Sequence, residues 1–256
     1  MRTRNAFNKD DLPILKSDRV LDVGSGSNPT RRANVLLEKF IHNNEHRRGD
    51  LKIYPHQTFV EGDGENMPFK NKEFDYSICS HVLEHVSDPE KFIKELMRVS
   101  KKGYIETPSL IGEILAPKKA HKWVVLNINN RLVFFEKNLI PYNFMMDMGD
   151  LFLNYLPYHS FAYRLFVMTR NNYHVARIEW NGTIQYSINP SDKHLKSFFI
   201  EKLTPQMVEQ IIPPISLKKD LLLLFNASFL FLKEKSKRHF KNNLPIDYEQ
   251  YIKLNN

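Results

Sequence analysis

The amino-acid sequence predicts an α/β fold with a doubly wound, mostly parallel sheet in its first half. Between Arg19 and Ser109, short apolar runs are punctuated by Gly, Asn and Asp and separated by polar or amphipathic stretches, the pattern of parallel strands with crossovers. One run passes directly into a glycine turn, and a helix with a clear start signal separates the last two runs.

Five strands are expected: Arg19 to Val23, Ala33 to Leu37, Thr58 to Glu61, Phe74 to Cys79 and Gly103 to Glu106. Asp88-Pro89-Glu90 opens a helix that carries Phe92, Ile93, Leu96, Met97 and Val99 near 3.6-residue spacing. After Pro108 the pattern changes. Val124 to Phe135 reads as a hairpin turning at Asn129-Asn130, Phe144 to Met168 as apolar helix, and Val175 to Ile188 as a second hairpin turning at Asn181-Gly182. From Pro190 onward the chain reads as helices broken at Pro205 and Pro213-Pro214.

With 256 residues and 42% hydrophobic content the chain can fill a large core. The single cysteine, Cys79, excludes an intrachain disulfide and a four-cysteine zinc site and fits a reducing compartment. Met1 to Pro13 mixes charges with few apolar residues, unlike a signal peptide, and the reading is a cytoplasmic protein. The net charge of +8 favours anionic partners, but basic residues are scattered except near Lys233 to Lys241 and nucleic acid is not expected as a partner.

Val20-Leu21-Asp22-Val23-Gly24-Ser25-Gly26 is a strand running into a turn whose missing side chains permit close approach of a ligand to the backbone. A dinucleotide fingerprint would need a third glycine where Pro29 stands, which disfavours NAD and FAD. Glu38 closes the second strand, where a carboxylate can accept from both hydroxyls of a ribose. After the third strand, Asp63 could accept from an adenine amine, Gly64 offer its backbone, and Met67 pack on the ring.

These blocks, Leu21 to Gly26, Gly62 to Phe69, Phe74-Asp75-Tyr76 and Ser80-His81-Val82-Leu83-Glu84-His85-Val86, resemble the S-adenosylmethionine-dependent methyltransferases of the type 11 group, in order and in register over about Asp18 to Pro108. The resemblance implies a Rossmann-like, seven-stranded sheet ending in an antiparallel pair, supplied by either hairpin. It implies S-adenosylmethionine as cofactor, with Asp22, Gly24, Ser25 and Gly26 around the methionine part, Glu38 on the ribose, Asp63, Gly64 and Met67 at the adenine, and Ser80 and His81 beside the sulfonium. The short stretch from Gly26 to Glu38 leaves the first crossover helix truncated or absent. Residues 1–189 are then the methyltransferase domain, with a cofactor core at 18–109 and an acceptor-side elaboration at 110–189, and 190–256 form a helical extension.

His81-Val82-Leu83-Glu84-His85 also fits the H-x-x-E-H zinc pattern, but the family uses the same local sequence without metal and none is expected. Ile105 to Ser109 followed by His121-Lys122-Trp123 resembles a pairing in bacterial methyltransferases met beside glycan or cell-surface biosynthesis. Glu106, His121 and Trp123 are accordingly the candidate acceptor-binding residues, and His81 or His121 the candidate base, with a small or glycan- or lipid-linked acceptor. The alternative is a protein that binds the cofactor without turning it over. Leu221 to Leu232 is apolar nearly all round between clusters of lysine: a core helix, a dimer contact, or a peripheral contact of 218–241 with an acidic membrane face.

Overall fold

Val20–Val23 forms β1, and all four side chains are buried, as in a strand covered on both faces. The computed structural model describes residues 9, 12–41, 49–141, 147–170, 173–237 and 244–255. After β1 come β2 (Val35–Glu38), β3 (Lys52–Ile53), β4 (Thr58–Glu61), β5 (Phe74–Ser80), α1 (Pro89–Val99) and β6 (Ser100–Pro108). β1 lies between β2 and β5, β4 flanks β2, and β6 flanks β5, all parallel. Completed by Val175–Asn181, the sheet has six strands.

The start of α1 follows its sequence signal. Asp88 caps it by accepting from the Lys91 amide at 3.0 Å, a contact worth about 1 kcal/mol, and Pro89 fills the first turn where no N–H is needed. Phe92, Ile93, Leu96 and Val99 are its buried stripe. The link from β1 to β2 contains no helix, as the short Gly26–Glu38 spacing implied.

The chain divides into two compact units, Met1–Thr107 with Ile178–Ile184 and Asn242–Asn256, and Pro108–Arg177 with Gln185–Lys241. The first unit thus takes in residues from the end of the sequence. In that unit Val20, Leu36, Tyr76, Ile78 and Tyr104 make a core with Tyr248 and Tyr251 packed on it. The tyrosines come from the C-terminal helix, whose Tyr251 hydroxyl donates to the Gln57 carbonyl at 3.0 Å.

In the second unit a short helix α2 (Leu110–Leu115) precedes β7 (Trp123–Ile128) and β8 (Arg131–Glu136). Asn129 and Asn130 join these strands with φ of +50° and +62°, the left-handed pair that a tight hairpin turn requires and that Asn tolerates. Val124, Leu126, Val133 and Phe135 pack on Phe198 and Phe199. Helices at Leu156–His159 (α3) and Phe161–Arg170 (α4) follow a π-helical stretch, Asp150–Tyr155; Phe144, the start read for this apolar helix, lies outside the described residues.

The second hairpin of the sequence reading is not a hairpin. Its first arm, β9 (Val175–Asn181), joins the main sheet beside β6, and its second, β10 (Tyr186–Ile188), pairs parallel with β8. Gly182 turns the chain at φ +76° and donates to the Lys101 carbonyl at 2.9 Å. Gly103 makes room for β9, since a Cβ there would stand 2.8 Å from the Trp180 indole nitrogen and 2.5 Å from the Ser77 carbonyl oxygen. Among the described residues the main sheet therefore has six strands with β9 as a single added strand, because the Asn181-Gly182 turn parts the arms between two sheets. Helices at Lys193–Ile200 (α5), Pro205–Ile211 (α6) and Leu217–Lys237 (α7) complete this unit. Pro205 starts α6 and does not interrupt a helix.

Candidate functional site

Strand register aligns the polar groups at the carboxyl edge of the sheet. Leu36, Asp22, Ile78 and Tyr104 are mutual neighbours across β2, β1, β5 and β6. Two residues further along three of these strands, on the same face, stand Glu38, Ser80 and Glu106. The mostly apolar row thus gives way to a polar row where ligands of open α/β sheets bind.

The turn after β1 has Gly24 at φ +68° and Gly26 at φ +55°. A Cβ on Gly24 would come 2.5 Å from Val82 Cγ2, so the turn abuts the loop after β5. Gly26 donates its amide to Glu38 Oε1 at 2.6 Å, and the Ser25 hydroxyl donates to the same oxygen at 3.0 Å. Asp22 is 1% exposed and accepts from the Thr30 amide at 2.8 Å. Its Oδ2 is 3.7 Å from the ammonium of Lys9, which also donates to the Asn28 carbonyl. Lys9 had no sequence signal: it is one of several charges near the N-terminus.

Beyond β4, Asp63 Oδ1 accepts from the Glu65 amide at 2.9 Å and Oδ2 from Lys39 at 2.6 Å. Partial burial opposes ionisation of Asp63, but the Lys39 ammonium and the Glu65 amide outweigh it and hold the carboxyl below its ordinary range. Gly64 is required for packing, because a Cβ there would stand 2.1 Å from Phe92 Cε2. Met67 is 3% exposed, and its amide donates to Glu95 at 2.7 Å. It is a core side chain next to the Asp63–Asn66 turn.

His81 follows β5 with φ +59°, a conformation that a non-glycine residue holds only where its surroundings enforce it. Its amide donates to the Glu106 carbonyl at 2.8 Å. The half-exposed ring lies 3.5 Å from Glu84 through Nδ1 and 3.5 Å from Glu106 through Nε2. Glu106 is held in turn by Tyr104 and by Ser80. Burial alone would lower the imidazole, but Glu106 and Glu84 overcome it and push His81 up to about 10. The two carboxylates thus favour the imidazolium, the form that carries hydrogen on both ring nitrogens. Glu84 is 1% exposed, and its Oε1 faces two imidazoles, His81 at 3.5 Å and His85 at 4.0 Å.

In the second unit, His121 Nδ1 lies 2.6 Å from Glu113 Oε2. Glu113 sits on α2 at 1% exposure, accepts also from Lys137 and the Lys118 amide, and its carboxyl stays below the usual range because these partners outweigh its burial. An ionised carboxylate only accepts, so Nδ1 of His121 carries the hydrogen. Trp123 is 7% exposed at the first position of β7, paired with Glu136. That burial lets it anchor the hairpin. The buried Glu113 was not singled out from the sequence, where a lone Glu between Gly112 and Ile114 looks like any solvated acid.

The parallel sheet with its first strand central, the glycine turn after that strand and the carboxylate closing the second are arranged as in class I methyltransferase domains. Residues 21–105 match the methyltransferase domain family. The demethylmenaquinone methyltransferase of Streptomyces griseus is 30% identical over 91 residues, 34% of this chain and 40% of that protein. The ubiquinone/menaquinone biosynthesis C-methyltransferase UbiE of Rickettsia typhi is 29% identical over 106 residues, 35% of this chain and 42% of that protein. The chain thus spans less than half the length of these relatives. Among solved structures, the YcgJ protein of Bacillus subtilis aligns over 43% of this chain and 57% of its own at 17% identity and a TM-score of 0.32.

Proposed function

We propose that the chain transfers a methyl group from S-adenosylmethionine to a small or lipid-linked acceptor. The observation that carries the reading is the polar row at the carboxyl edge of the sheet, Glu38, Ser80 and Glu106, beside the glycine turn. The donor set fits the cofactor. Asp22 and the turn meet the methionine part, Glu38 the ribose diol, and the ionised Asp63 the adenine amine, whereas Gly64 and Met67 act through packing. When bound, the cofactor supplies an electrophilic methyl group on a sulfonium.

The chain's own work is then binding, orientation and proton handling. His81, whose two ring nitrogens face Glu84 and Glu106, positions the Glu106 carboxylate at the carboxyl edge of the sheet. His121 is the candidate base, its ring oriented through Nδ1 by Glu113 in the way a buried carboxylate orients a catalytic histidine. The quinone-pathway names of the two relatives favour a ring-bearing, lipid-soluble acceptor over a soluble glycan precursor.

Calorimetry with S-adenosylhomocysteine tests the cofactor assignment: binding that weakens in Asp63→Ala supports it, and no binding by the parent overturns it. Incubation of membrane and soluble extracts with methyl-labelled cofactor then separates the enzyme from a non-catalytic binder. A labelled product establishes turnover, and cofactor binding without product in either extract favours the binder.

A further inference from the structure

Helix α7 carries apolar residues on two opposite faces, and its partners cover one of them. At 100° per residue, Leu223 and Ala227 lie on one side and Leu221, Leu222, Phe225, Phe229 and Leu232 on the other. The first pair is 7% and 0% exposed. That side packs with α4: the Phe231 ring lies 5.1 Å from Phe161 and 5.1 Å from the Arg164 guanidinium, and Asp220 pairs with Arg170 at 2.5 Å. The five residues of the other side are 57%, 59%, 71%, 60% and 64% exposed. A surface helix ordinarily turns polar residues to water, and a continuous outward stripe of leucine and phenylalanine marks a surface that something covers.

The charge around the stripe identifies its occupant. Exposed Lys218 falls on the stripe itself by the same periodicity, with Lys219 beside it. The sequence after the stripe continues with Lys233, Lys235, Lys237 and Arg238 against one acid, Glu234. A second copy laid on this face would bring basic ends against basic ends whether the two helices ran parallel or antiparallel. An anionic bilayer surface meets both features, apolar side chains entering the interface and lysines meeting phosphate headgroups. No described helix is long and apolar enough to cross a membrane, so the contact lies along the surface. We propose that α7 docks the chain on an anionic lipid bilayer through the stripe from Leu221 to Leu232. This stands independently of the methyl-transfer reading.

Flotation of the full chain with phosphatidylcholine vesicles, with and without phosphatidylglycerol, tests it. Retention on the phosphatidylglycerol vesicles, falling as salt is raised, is expected. The double variant Phe225→Asp/Phe229→Asp should lose about tenfold or more of that retention, since two exposed apolar anchors become charged. Both positions are exposed, so its melting temperature and S-adenosylhomocysteine affinity should match the parent. Lys218→Glu/Lys219→Glu should weaken retention on phosphatidylglycerol vesicles alone. The proposal is overturned if the parent stays unbound at low salt, or if the Asp variant floats as the parent does. It is equally overturned by a parent dimer, seen in sedimentation velocity, that the Asp variant abolishes while neither protein binds vesicles, which would assign the face to a second copy.

Discussion

Gly26 donates its backbone amide to Glu38 at 2.6 Å, so the carboxylate at the end of β2 is tied to the turn at the end of β1. The acid therefore shapes the turn before any ligand arrives. Glu38→Ala removes a charge-assisted acceptor from two donors of the turn and should cost about 1.5–3 kcal/mol of stability, besides weakening S-adenosylhomocysteine. Ser25→Ala removes the 3.0 Å hydroxyl contact alone and should leave both nearly unchanged. Thermal melts and calorimetry on the two variants check this; equal effects of the two would mean that Glu38 does not organise the turn.

The parts of this site legible in the sequence are those governed by local chemistry. A strand ending in Gly24-Ser25-Gly26, the Asp88-Pro89 start of α1 and the Asn129-Asn130 turn each need particular residue types at adjacent positions, and each stands where it was read. Asn181-Gly182 announced a reversal as well, but which sheet each arm joins is decided at Gly103 and Trp180, far away in sequence. The same holds for Glu113, whose meaning depends on His121 and Lys137, and for Tyr248 and Tyr251, which cover a sheet core from the chain's end. The burial of Met67 and Trp123 is likewise not legible, because exposure has no local signature in a large apolar side chain.

Gly64 offers a test of packing against ligand contact. Gly64→Ala places a methyl 2.1 Å from the Phe92 ring and should destabilise the domain by about 1–3 kcal/mol, the usual cost of overpacking. Phe92→Leu should relieve part of that cost, so the double variant is less destabilised than the sum of the two singles. Denaturant melts of the three variants measure the coupling. Strict additivity would place the strain elsewhere.

His81 should respond to pH in the opposite direction from an ordinary catalytic imidazole. Its folded value of about 10 lies above the unfolded 6.5, so the stabilisation it gives is complete below about 6.5 and is lost as pH rises through about 10. The His81→Gln variant should therefore lose more stability at pH 6 than at pH 10, and the parent's imidazole should titrate near 10 by NMR. Titration near 6.5 would instead suit His81 to the role of a base.

Glu113 should set the acid limb of stability in the second unit. Its carboxyl is depressed below the ordinary 4.5, so its contribution is present above that value and is lost as pH falls through the lower, folded one. Glu113→Gln removes the charge that Lys137 and His121 face at 1% exposure, and breaking such a buried pair should cost about 3–5 kcal/mol. Adding Lys137→Met should recover part of the loss, because the orphaned ammonium goes with it. His121→Ala leaves the Glu113–Lys137 pair intact and should be milder in melting temperature, with S-adenosylhomocysteine affinity unchanged. If His121 is the base, its removal lowers turnover of the acceptor far more than it lowers stability, and Glu113→Asp, which keeps the charge but shortens the reach to Nδ1, lowers turnover as well. Parallel losses of turnover and folded protein in both variants would assign the pair to architecture alone.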